Sequence, residues 1–142
     1  MQRMFAPDGV WPMPWMARAL PQILAIAEAK SAQTVFTRFI PPETPEQRPG
    51  AWRRYYEHWS EVTLHNIHPE LLDLMPALAG LAPPARVIDK PAYSAFSNPR
   101  LNEDLRQSQT DTLVITGGET DICVLATVMS AVDLGYRVIL PV

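Results

Sequence analysis

Read for the spacing of its apolar positions, the 142-residue chain divides into short elements of alternating type. Met16, Leu20, Ile23, Leu24 and Ala27 recur at helical spacing, which predicts a helix over Trp15–Lys30 with Pro21 near its first turns. Gln33–Phe39 (QTVFTRF) is β-branched and aromatic and reads as a strand. Ala51–Ser60 (AWRRYYEHWS) reads as an aromatic, charged helix, and Pro69–Ala79 as a short one limited by Pro76. After Pro84 the rhythm is regular. A strand is predicted over Arg86–Asp89, a helix over Pro99–Gln107 and a buried strand over Thr112–Thr116 (TLVIT). An apolar helix over Thr120–Leu134, closed by Gly135, and a strand over Tyr136–Val142 complete the series. Apolar strands alternating with helices predict an α/β fold, a parallel sheet covered by helices on both faces.

Proline sharpens this division. Of the 15 prolines, 14 fall between Pro7 and Pro99, so Arg100–Leu140 is free to run in regular elements while the earlier part is punctuated by turns. At 47% hydrophobic and 19% charged, the chain is too apolar for disorder. A net charge of −3 leaves no basic footprint for nucleic acid, and no apolar run is long enough for a membrane span. The first fifteen residues hold one arginine and three prolines, which is no secretory signal pattern. The expectation is one cytoplasmic globular domain over residues 1–142.

Two residues carry candidate chemistry. Cys123, the only cysteine, lies just after a predicted strand and in the first turn of a helix, where backbone N–H groups favour a thiolate. A free cysteine in such a place is, more often, an inert buried side chain. Lys90 is one of two lysines against ten arginines and follows the apolar pair Val87-Ile88. By itself it reads as a lysine whose stem covers apolar surface. Together they change the reading, because both follow strands that should end on one edge of a parallel sheet, where open α/β folds place ligands. A nucleophile beside a fixed cation suits acyl transfer, but no base is identified.

Three segments in order extend this reading. GGETDICVLATVMSAVDLGY around Cys123 and DKPAYSAF around Lys90 resemble the nucleophile and lysine motifs of the isochorismatase-like cysteine hydrolases. The opening MQRMF resembles the stretch after that family's catalytic aspartate. The resemblance implies a three-layer, Rossmann-like α/β fold and an Asp–Lys–Cys triad, with Cys123 as nucleophile and Lys90 as the lysine. It further implies an oxyanion hole from the backbone N–H groups of Glu119 and Cys123, a cis peptide at Gly118–Glu119, and Phe5 in the substrate pocket. The aspartate and the family's first strand would precede Met1, and a helix and strand would follow Val142. An interior piece of a larger domain, inactive or nearly so as it stands, is therefore expected.

The resemblance also guides the rest. The family's zinc-binding members use histidines in a region matching Thr37–Trp52, which has none, so neither metal nor cofactor is expected. Retention of Cys123 points to hydrolysis of a C–N bond in a small amide, ureide or carbamoyl substrate. Trp52, Arg53, Arg54 and Tyr93 are candidates to contact that substrate, the arginines through a carboxylate. A solvated or subunit-contact role for the same helix is equally open, and a homo-oligomer is expected. The rival class is an inactive homologue that binds or assembles with a partner. A dinucleotide-binding reading is disfavoured because no G-x-G-x-x-G occurs.

Overall fold

The structure is a computed structural model that describes residues 1–141; Val142, the end of the last predicted strand, lies outside the described residues. In chain order the elements are α1 (Met16–Ala29), β1 (Val35–Phe39), α2 (Ala51–His58), α3 (Pro76–Ala79), β2 (Arg86–Lys90), α4 (Pro99–Gln107), β3 (Thr112–Val114), α5 (Leu125–Asp133) and β4 (Arg137–Ile139). Every strand pairing is parallel, as expected. The pairings fall into two separate ladders, β1 with β2 and β3 with β4.

Helices lie on both faces. Phe36 of β1 packs with Ile23 and Ala27 of α1 and Leu78 of α3 on one side. On the other, Ile88 of β2 packs with Leu101 and Leu105 of α4, Ala131 of α5 and Tyr136. Burying side chains of this size contributes about 1.5–3 kcal/mol each. Register between β1 and β2 is set on the polar side as well. Arg38 lies opposite Asp89 and donates to it twice, at 2.7 and 2.9 Å. That pair, helped by Asp73, holds the guanidinium above its ordinary range.

Several predicted elements change. Pro69–Ala79 is a 3-10 turn at Pro69–Leu72 and the single turn α3, because Leu74 between them is extended and bridges to Gln2. The expected helix over Thr120–Leu134 opens as a wide π turn at Thr120–Val124 before α5 begins. The strand expected to be buried at Thr112–Thr116 is shorter and only half covered. Leu113 faces α4 and α5, but Val114 is 53% exposed and Ile139 of β4 is 41% exposed. Among the described residues no helix covers that face.

A third cluster sits beyond the end of β1. Met4, Phe39, Tyr56, Val62 and Ile67 are buried there, wrapped by Phe5, Trp11, Tyr55 and Trp59. The proline-rich connections thus build their own apolar anchor. Gln2 ties it to the sheet. Its side-chain amide accepts from Phe39 N–H at 2.7 Å and donates to the carbonyls of Phe39 and Leu72 at 2.9 and 3.0 Å. Gln2→Leu leaves three backbone groups without that partner. It is expected to lower stability by about 2–4 kcal/mol, read as a lower denaturant midpoint at unchanged slope.

Candidate active site

Lys90 is the last residue of β2, and only 5% of it is exposed. Parallel register places it beside Phe39, the last residue of β1. Its ammonium lies 5.7 Å from the Phe39 ring centroid. An ammonium has three donors and no acceptor, and all three have partners here. Two go to the carbonyls of Ala92 and Tyr93, at 2.9 and 2.6 Å. The third reaches Cys123 Sγ at 3.6 Å. Burial pulls the Lys90 ammonium below its ordinary value, and the charge of Cys123 and its hydrogen bond oppose that pull. The cation is thus held at one point, with its third donor aimed at sulfur.

Cys123 arrives from the other ladder. β3 ends at Val114 and the chain turns through Gly117, whose φ of +123° is a conformation that side-chain-bearing residues rarely adopt. At Gly118 an added Cβ would collide with Met13 Sδ. The Gly118–Glu119 peptide is cis, and Glu119 opens the π turn that carries Cys123. In that turn Val124 N–H reaches back to Glu119 C=O at 3.1 Å. The Glu119 N–H has no partner among the described residues. It and the backbone N–H of Cys123, the fourth residue of that turn, are the donors a developing oxyanion nearby could use.

The two halves of the pair are latched together by residues that sequence reading did not single out. Thr127 Oγ1 donates to Cys123 C=O at 2.7 Å and accepts from Ala95 N–H at 3.0 Å. Ser130 Oγ lies 2.9 Å from Ser94 Oγ. Thr127 and Ser130 stand four and seven residues after Cys123, so helical geometry puts all three on one face. That spacing was a usable signal.

The other candidates are dispersed. Phe5 lines the same cleft as Cys123 and Lys90. Tyr93 supplies its carbonyl to Lys90. Burial, then the charge of Cys123, raise its phenol. Trp52 meets the Tyr93 ring edge-on at 5.3 Å. Arg53 is committed elsewhere, 3.0 Å from Glu57 and 3.9 Å from Glu46, and Arg54 is exposed. Trp11, unmarked in the sequence, links the aromatics: its ring lies within 6.5 Å of Phe5, Phe39, Tyr55 and Trp59.

Among the residues lining the cleft the only carboxylate is Asp111. It precedes β3, about five strand residues from the Cys123 end, or roughly 16 Å away. No group of three His, Cys, Asp or Glu gathers among the described residues. No helix is long and apolar enough to cross a membrane.

Comparison with known proteins bears on the fold and the family. The chain superposes over 99% of its length on a cysteine hydrolase from Pseudomonas syringae pv. phaseolicola, at a TM-score of 0.79 and 24% identity. It spans 66% of that chain. A pyrazinamidase/nicotinamidase from Streptococcus mutans is similar over 98% of this chain and 79% of its own, at a TM-score of 0.70 and 29% identity. An uncharacterised isochorismatase family protein of Bacillus subtilis is 40% identical over 52 residues, which is 37% of this chain and 28% of that one. Finally, the isochorismatase domain profile matches residues 1–142, and the chain belongs to that family.

Proposed function

We propose that this chain carries the nucleophile and its cation for a cysteine hydrolase acting on a C–N bond of a small amide, ureide or carbamoyl compound. The observation that carries the reading is the 3.6 Å approach of the buried Lys90 ammonium to Cys123 Sγ. The Streptococcus neighbour is a pyrazinamidase/nicotinamidase, which supports an amide as the substrate class.

In this reading the Cys123 thiolate attacks the carbonyl carbon, and the backbone N–H groups of Glu119 and Cys123 take the oxyanion. Collapse breaks the C–N bond, the amine leaves with a proton, and water then hydrolyses the Cys123 thioester to release the acid. Lys90 fixes the sulfur through its third donor while two carbonyls fix Lys90. The proton donor to the amine, which later deprotonates the water, is the group the resemblance places ahead of Met1. Asp111 lies too far from sulfur to serve. Trp52 and Tyr93 supply a ring wall beside the pair, whereas Arg53, already paired, is the weaker candidate for binding a carboxylate.

A second reading is favoured by that distance alone: a homologue that keeps the pair but binds or assembles rather than hydrolyses. A screen of small amides and ureides for ammonia release, on a form extended ahead of Met1 to supply an acid, separates the two. The hydrolase reading expects turnover that Cys123→Ala lowers by about 10³-fold or more. It also expects a Cys123 acyl adduct visible by mass spectrometry. Ammonia release unchanged by Cys123→Ala would contradict it, and no release from any substrate would favour the binding reading.

A further inference from the structure

The turn that caps Lys90 is held from outside its own backbone. At the end of β2, Lys90 C=O accepts from Ile40 N–H at 2.9 Å. The next backbone group with a partner is Ala95 N–H, which donates to Thr127 Oγ1 at 3.0 Å. Between them, Pro91, Ala92 and Tyr93 make no backbone–backbone hydrogen bond among the described residues. Pro91 and Tyr93 are also exposed. Yet this turn supplies both carbonyls that satisfy a buried ammonium. Ordering three residues without backbone bonds is entropically unfavourable, and opening them would leave the cation short of partners.

Two side chains from the segment after β1 grip that turn. Arg48, ahead of α2, donates through Nη2 to Pro91 C=O at 2.9 Å. Trp52 of α2 meets the Tyr93 ring edge-on at 5.3 Å. The first carbonyl of the turn thus goes to Arg48 and the next two to Lys90. Both grips are anchored in turn. Trp52 stacks at 6.2 Å on Tyr56, one helical turn further on, and Tyr56 is buried in the third cluster with Met4 and Phe39. Arg53 bonds Glu57 at 3.0 Å and reaches Glu46 at 3.9 Å, which ties the 3-10 turn just before Arg48 to α2.

We propose that Arg48 and Trp52 are positioning residues for Lys90. They keep the Pro91–Tyr93 turn closed, so that two carbonyls stay on the ammonium and its third donor stays on Cys123. Both act through the turn: Arg48 on its first carbonyl, Trp52 on the ring of its last residue. The hold on the turn stands by itself, and its consequence at sulfur rests on the hydrolase reading. The charged, aromatic segment around α2 therefore serves the cation as well as offering a ring wall.

The test uses the chain's two lysines. Lys30 is exposed and serves as the internal reference for buried Lys90. The folded protein is acetylated with the N-hydroxysuccinimide ester of acetic acid, and mass spectrometry reads the labelling of Lys90 relative to Lys30. Arg48→Met and Trp52→Leu, made separately, are each expected to raise that ratio by about tenfold through local opening. Trp52→Phe, which keeps a ring edge for Tyr93, should hold it near the native value. Iodoacetamide alkylation of Cys123 should slow in Arg48→Met and Trp52→Leu, and slow no further when either is added to Lys90→Met. Leu78→Ala, which opens a cavity in the cluster between α1 and α3, controls for general loss of stability. A labelling ratio unchanged in both Arg48→Met and Trp52→Leu, or raised equally by Leu78→Ala, would overturn the proposal. So would a raised ratio with Cys123 alkylation unaffected. If Lys90→Met alone leaves that alkylation unchanged, the pairing and the hydrolase reading fail, and the positioning role falls with them even where the ratio rises.

Discussion

The site rests on one buried cation and on how fully it is satisfied. Lys90 sits in the interior at the end of a strand, where an unpaired ammonium would be costly. Two loop carbonyls and one sulfur fill its three donors. That arrangement couples the parts of the fold. β2 delivers the lysine, the turn after it folds back to offer two carbonyls, and the π turn ahead of α5 must bring Cys123 from the other ladder. If any of the three moves, the ammonium loses a partner in a place where water is scarce. Thr127 and Ser130 then hold α5 against the Ser94–Ala95 turn, which keeps sulfur and nitrogen in register.

Much of this was legible in the amino-acid order. Parallel strands separated by helices announce themselves through apolar runs such as RVID and TLVIT and through the proline-free stretch after Arg100. The Lys90 and Cys123 pairing was legible for a related reason: each follows a strand, and parallel strands end on a shared edge. Other features were not. The π turn is invisible to helical periodicity, because one wide turn shifts the phase by a single residue and leaves the apolar pattern of α5 intact. Gln2 reads as an ordinary polar residue near a terminus, yet it is 2% exposed and caps a strand edge 37 residues away. Its role exists only in three dimensions. Val114 misled for a physical reason: an apolar strand reads as covered on both faces, and here one face has no helix over it among the described residues.

The same geometry sets what surrounds the pair. Lys90 ends a strand of one ladder, Cys123 follows a strand of the other, and both open onto the cleft that Phe5 also lines. Beside it, Trp11 gathers Phe39, Tyr55 and Trp59 into one aromatic cluster.

Competition between burial and Cys123 over the Lys90 charge is the centre of the account, and the rate at which Cys123 alkylates tests it most directly. Iodoacetamide should modify Cys123 at neutral pH about tenfold or more faster than it modifies the unfolded chain. In a folded Lys90→Met variant that advantage should vanish. A native Cys123 that reacts no faster than the unfolded one, or a rate indifferent to Lys90→Met, would contradict the pairing on which the rest is built.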